Sequence, residues 1–168
     1  MVRIPAILDC ACLIGLERVG LLDLLPRLLD PIFAPPAVVG EFGSLPEWLT
    51  EQAPLDLGMV AALNLMVDPG EAEAIALAYE MKHRLILDDL KAREAAQRLG
   101  IAMTGTVGLL LKAKQAGIIP ALRRFLIRWI PTAFESVPRC EPRHCCWPAS
   151  EGKRSRIVDG GSKIEDSG

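Results

Sequence analysis

Two short apolar runs in this chain end in carboxylates: Ile7-Leu8 runs into Asp9, and Leu85-Ile86-Leu87 runs into Asp88-Asp89. Such runs read as buried strands, and a strand ending in Asp delivers charge to the rim of a sheet, where open α/β folds bind their ligands. Two such ends side by side repel each other unless a cation sits between them. Hard carboxylate oxygens suit Mg2+ or Mn2+, and ions of that kind activate water and clamp the oxygens of an in-line phosphoryl displacement.

Glu41 and Glu71 enlarge the set of acids, although each acid also has a plainer explanation. Asp9, Asp88 and Asp89 precede expected helices, where Asp is a favoured N-cap. Asp68-Pro69-Gly70-Glu71 has the spacing of a capping box, so Glu71 is accounted for by its own helix start. Glu41 fits the solvated face of a short helix. What favours chemistry is the group: in a parallel α/β sheet Asp9 and Asp88/Asp89 lie at the same edge, and Glu71 faces back towards one rim.

The elements that must position these acids are read from pattern and punctuation. Residues 3–9 form a first strand; residues 11–16 and 19–29 carry apolar residues at helical spacing, broken by Gly15, Gly20 and Pro26. Ile32-Phe33-Ala34 is a short strand, and Pro35-Pro36 opens a helix through Glu41. Residues 43–58 are expected to be a connecting excursion. A helix follows from Asp68 to about Lys82, then a strand at Leu85–Leu87, a helix from Leu90 to Leu99 ended by Gly100, a strand at 101–103, and helices at 107–116 and 120–129. Alternating strands and helices predict a three-layer α/β/α fold with a mostly parallel central sheet. After Pro131 no apolar period is sustained, so the expected division is one domain over residues 1–131 and an appended tail over 132–168 that does not order itself.

Composition narrows the class. The chain has 168 residues, 51% of them apolar, which suits one domain with a core; its net charge of −2 leaves any nucleic-acid contact to local patches. No apolar run reaches the roughly 18 residues that span a bilayer, and Asp9 and Glu17 interrupt the N-terminal apolar stretch where a signal peptide needs continuity. Five cysteines in two clusters are no disulfide framework, which points to the cytoplasm. Cys140, His144, Cys145 and Cys146 lack the paired spacing of a structural zinc site. Lys91 and Arg93 stand nearest the acids and are candidates for phosphate contact; Lys112, Lys114, Arg123, Arg124 and Arg128 read as a solvated helix face. The tryptophans show no interleaving with basic residues that would mark a base-stacking platform.

Five segments taken in order resemble the PIN-domain nucleases, in particular their VapC-like branch. They are Asp9-Cys10-Ala11-Cys12-Leu13-Ile14, Pro36-Ala37-Val38-Val39-Gly40-Glu41, the run from Gly70-Glu71-Ala72-Glu73 to Ala78, Leu87-Asp88-Asp89-Leu90-Lys91-Ala92-Arg93, and the run from Gly105-Thr106-Val107-Gly108 to Lys114. Any one is weak; the ordered set covers nearly everything before the tail. The resemblance implies that Asp9, Glu41, Glu71 and Asp89 hold one or two Mg2+ or Mn2+ ions, with Asp88 competing for the last place. It further implies hydrolysis of RNA, a toxin role with a small cognate antitoxin, and a homodimer. Ile14, Leu16 and Leu21 to Leu25 would supply the dimer face, unless they are core. Thr106 matches a polar position that orients water or a metal ligand, although N-cap of the helix that follows is the preferred reading. One departure stands out: the family's usual Ser two residues after the first Asp is Ala11 here, and loss of such a supporting group costs about 10–100-fold in metal affinity or activity. A PIN-like module that binds without turnover is therefore the alternative, and a receiver-like phosphoacceptor ranks far below, because its acidic pair should follow the first strand.

Overall fold

The computed structural model describes residues 3–120. Within them five strands form one sheet in the order β3-β2-β1-β4-β5, and every pairing is parallel. The strands are β1 (Ile4–Leu8), β2 (Leu29–Ala34), β3 (Leu49–Glu51), β4 (Arg84–Ile86) and β5 (Met103–Thr104). The helices are α1 (Cys10–Arg18), α2 (Leu25–Leu28), α3 (Pro36–Phe42), α4 (Leu57–Leu63), α5 (Pro69–Met81), α6 (Leu90–Arg98) and α7 (Thr106–Gln115). The expected three-layer α/β/α architecture is present, with the sheet parallel throughout.

Both faces of the sheet are covered, and the central strands show why. Ala6 and Leu8 of β1 and Ile86 of β4 point into one apolar cluster with Leu13 and Leu16 of α1 and Leu109 and Leu110 of α7. Ile7 and Leu85, of opposite parity, point with Leu87 into a second cluster with Ile75 and Leu77 of α5 and Ala92 and Ala96 of α6. Alternate side chains leave a strand on opposite faces, so a strand apolar at every position must be buried on both. α5 is sunk nearly all round: Ala72, Ala74, Ile75, Ala76, Leu77 and Ala78 are buried, and its small alanines let neighbours approach closely.

Several boundaries differ from expectation for local reasons. The helix expected over 19–29 is a 3-10 turn at Leu22–Leu24 followed by the single turn of α2, and β2 begins at Leu29. Pro31 is tolerated inside β2 because the register with β1 shifts there, and pairing with β3 starts only at Ile32. The excursion expected over 43–58 contains β3, an edge strand, and the start of α4. Glu80 accepts from the backbone N–H groups of Leu55 and Asp56, and Asp56 caps α4 by accepting from Met59 N at 2.9 Å. The late strand begins at Met103, not residue 101, because Gly100 adopts φ +71° and Ile101 N donates back to Ala96 O, holding both residues in the cap of α6. Leu16, Leu24 and Leu25, expected at a dimer face, are buried in the first apolar cluster. All but the first residue of the expected helix at 120–129 and the tail after Pro131 lie outside the described residues, as do Cys140, His144, Cys145, Cys146, Arg123, Arg124 and Arg128. No helix among the described residues is long and apolar enough to cross a membrane.

Candidate active site

The chain lays β1, β2 and β3 outwards in one direction, then returns to the other side of β1 for β4 and β5. The switch point is therefore between β1 and β4, whose last residues Leu8 and Ile86 pair with each other. Loops diverge at such a point and leave a crevice beyond the carboxyl ends of the strands. Asp9 follows β1 directly, and Asp88 and Asp89 follow β4.

Asp9 is the N-cap of α1; it is 3% exposed and accepts from Ala11 N at 3.3 Å. Burial pushes its pKa up to about 6, and the neighbouring charges of Glu41 and Asp88 add to that rise against the backbone N–H groups of Cys10 and Ala11, which lower it. A helix N-terminus favours an anion by typically 0.3–1 kcal/mol, so here desolvation and like charge outweigh the cap. Glu71 carries the same signature from the facing helix. Its carboxylate closes the expected capping box by accepting from Asp68 N at 3.2 Å, yet burial first, then the charge of Asp89, push its pKa up to about 7.

Glu41 comes from α3, and neighbours on α1 and α5 set where it stands. The Cys10 thiol hydrogen-bonds its carboxylate. A Cβ on Gly70 would lie 3.4 Å from Glu41 Oε2, so α5 passes close to the carboxylate. Glu73 of α5 accepts from Ala37 N at 2.9 Å and supplies the cap that α3 lacks from its own Pro35. Glu73 was not a candidate from sequence; its only signal was its place in the acidic motif beside Glu71.

The two adjacent aspartates face different partners. Asp89 is the N-cap of α6, accepting from Ala92 N at 2.9 Å, and it opens onto a cleft of about 290 Å3 with Asp68, Glu71, Lys91 and the turn Asn64–Val67. Asp88 instead accepts from Thr106, at 2.8 Å from the backbone N–H and again from the hydroxyl. The expectation that Thr106 caps α7 is corrected: the N-cap is Gly105, and Thr106 is the fully buried first residue of that helix. Cys12 lies within hydrogen-bonding reach behind it. Burial, foremost, pushes both Cys10 and Cys12 up to about 12, so these two free thiols stay protonated and inert as nucleophiles.

The basic candidates divide as well. Lys91 lines the cleft, whereas Arg93 turns inward and donates to Leu87 O at 3.2 Å. Lys112 and Lys114 are exposed on α7, as a solvated face requires.

Whether these acids suit a metal ion depends on donor type and on placement. All are hard oxygen donors, and Asp9 and Glu71 are acids that burial first, and then neighbouring charge, discourage from ionising, which a bound cation would reverse. Among the described residues, however, no three such side chains already converge closely enough to hold an ion. The reason is visible: Asp9, Asp88, Asp89 and Glu71 each rest on a backbone N–H at the start of a helix. The donor set fits Mg2+ or Mn2+, but a shared coordination sphere is not preassembled.

A parallel α/β/α sheet with an acidic crevice at its switch point defines a fold suited to phosphoryl chemistry. The sequence profile of the family described as PIN domain matches residues 5–134. The chain belongs to the PIN-domain family, a nuclease-type fold. No curated protein matches it.

Proposed function

We propose that this protein is a divalent-cation-dependent endoribonuclease of the VapC-like branch, acting as the toxin of a toxin–antitoxin pair. Asp9, Glu41, Glu71 and Asp89 would hold Mg2+ or Mn2+, which supplies an activated water and neutralises charge on the phosphate. Asp88 stands beside them. The observation that carries the reading is the electrostatic coupling of acids from four separate elements: Asp9 feels Glu41 and Asp88, and Glu71 feels Asp89 and Asp9. Burying and crowding like charge costs stability, and a site that recruits a cation is the economical reason to retain it. Lys91, in the cleft beside Glu71 and Asp89, is placed to meet a phosphate. RNA as substrate, a small antitoxin, a homodimer and a cytoplasmic location belong to the same proposal, supported by the order of the motifs.

A second reading has its own observation. Ala11 is exposed at the start of α1 and offers Asp9 only its backbone N–H, at 3.3 Å. With no side-chain partner for Asp9 among the described residues, a module that binds RNA or protein without turnover is the competing function. Purified protein incubated with structured and unstructured RNA in Mg2+, Mn2+ or EDTA separates them. Cation-dependent cleavage that disappears in Asp9→Asn and Asp89→Asn supports the nuclease; RNA binding without cleavage in any cation supports the module. Millimolar Mn2+ should also raise the melting temperature of the wild type and not that of Asp9→Asn.

A further inference from the structure

Two adjacent acids at one strand end invite the assumption that they do the same work. Their surroundings say otherwise. Asp89 opens onto the cleft that Glu71 and Lys91 also line, and Asp88 does not line it. Asp88 has both carboxylate oxygens engaged by one residue, Thr106, whose N–H and hydroxyl both donate to it. Thr106 is fully buried and starts α7, so the clasp ties the loop after β4 to the helix after β5.

A second tie reaches the same loop from α6. Arg93 Nη1 donates to Leu87 O at 3.2 Å, one residue before Asp88. The two ties close around Gly105: a Cβ there would lie 2.8 Å from Asp88 Oδ1 and 2.8 Å from Arg93 Nη1. No side chain fits between them. The segment Leu87-Asp88 is thus gripped from α6 and α7 at once, and Asp89 is the first residue beyond the grip.

We propose that Asp88 is a positioning residue, held by Thr106 so that the adjoining Asp89 is presented to the cleft, and that it is not itself a cation ligand. This rests on the cation-dependent reading above. A carboxylate and a carboxamide serve the clasp equally: Asn at position 88 still accepts from Thr106 N through its oxygen and can donate its NH2 to the Thr106 hydroxyl. A ligand or a required charge has no such tolerance. The same substitution at neighbouring positions therefore distinguishes the two roles.

The experiment is Mn2+ binding to the full chain, by calorimetric titration, with the cation-free melting temperature recorded for every variant. Asp88→Asn should bind Mn2+ within about threefold of the wild type, whereas Asp89→Asn should lose about 10–100-fold or more, the range set by loss of a ligand or its support. Thr106→Val removes the hydroxyl donor and should weaken Mn2+ about tenfold; Thr106→Ser, which keeps it, should restore binding to within about threefold. Asp88→Asn weakening Mn2+ as much as Asp89→Asn, with its cation-free melting temperature unchanged, would overturn the proposal alone. So would Thr106→Val binding Mn2+ like the wild type. A wild-type chain that binds no Mn2+ overturns the cation-dependent reading, and this proposal with it.

Discussion

The crevice beyond β1 and β4 has an inner and an outer bank, and the two hold their acids differently. On the inner bank Asp9, Thr106 and Cys12 are buried, and Asp88 is clasped by Thr106. On the outer bank Asp89 and the partly buried Glu71 face a cleft whose rim includes Leu65, 88% exposed, and Met66. Every one of these acids accepts a backbone N–H at the start of a helix, so that bond alone does not separate structure from chemistry. What differs is whether the carboxylate is enclosed by side chains or left open to the cleft. Substitutions on the inner bank should register in stability as well as in Mn2+ binding; those on the outer bank should register in binding and leave the fold intact.

The largest effect should come from removing charge at the centre of the inner bank. Asp9 has its pKa raised from 3.8 to about 6, by burial first and by Glu41 and Asp88. A group whose folded pKa lies above its unfolded value contributes most below the unfolded value and loses that contribution as pH rises through the folded one. Cation-free protein should therefore be more stable near pH 4 than near pH 8. Glu71, raised to about 7 mainly by burial and Asp89, adds to the same trend over a slightly higher range. Asp9→Asn keeps an acceptor for Ala11 N and abolishes the charge, so in EDTA at pH 8 it should gain up to about 3 kcal/mol, with no gain at pH 4. Thermal melts at both pH values decide it; an Asn variant less stable than the wild type at pH 8 would show that the inner bank is not electrostatically strained.

Gly105→Ala should come next, with the opposite sign. The new Cβ meets Asp88 Oδ1 and Arg93 Nη1, each at 2.8 Å. Arg93 ends a flexible chain and can withdraw, but Asp88 is held by Thr106 and cannot, so overpacking should cost about 1–3 kcal/mol in urea denaturation. A loss under a few tenths of a kcal/mol would mean that the grip on β4 is looser than its distances imply.

Glu73→Ala tests the link that carries Glu41 between the banks. It removes the side-chain acceptor of Ala37 N and uncaps α3, for an expected cost of about 1 kcal/mol. The same variant should weaken Mn2+ binding, because α3 is then free to carry Glu41 away from Gly70. Stability lost with Mn2+ affinity intact would remove Glu41 from the site.

These contrasts also show what the linear chain could and could not reveal. β1, α5, α6 and the capping box at Asp68 were legible because each is a local pattern: an apolar run, an N-cap, a glycine stop. β3 was not, since Leu49-Thr50-Glu51 is three residues long and becomes a strand only by pairing with β2. α2 and the early start of β2 were misread because Leu21 to Leu29 is apolar enough to satisfy either period, and the sheet decided where the helix ended. The acids could be named as candidates through their order along the chain. Their partners could not: Asp88 accepts from Thr106, 18 positions away, and α3 takes its cap from Glu73, 36 positions away. Periodicity carries no information about such partners. Nor does a count of carboxylates say where their oxygens point, which is why a set of ligands could be expected while no preassembled cluster stands among the described residues.

The smallest expected effect sits where the banks meet. Gly70 lies in the first turn of α5, and a Cβ there would stand 3.4 Å from Glu41 Oε2 and 3.5 Å from Val38 Cγ2. Those are ordinary van der Waals distances, unlike the 2.8 Å contacts at Gly105. Alanine also restricts the unfolded chain more than glycine does, worth about 0.4–1 kcal/mol where the backbone accepts it. The backbone accepts it here, since Gly70 is not among the glycines with positive φ. Gly70→Ala should therefore hold stability within about 0.5 kcal/mol of the wild type, read by urea denaturation, and leave Mn2+ affinity within about twofold. A loss above about 1 kcal/mol, or a tenfold drop in Mn2+ affinity at unchanged stability, would place Glu41 on the inner bank, pinned by α5 as Asp88 is pinned by α7.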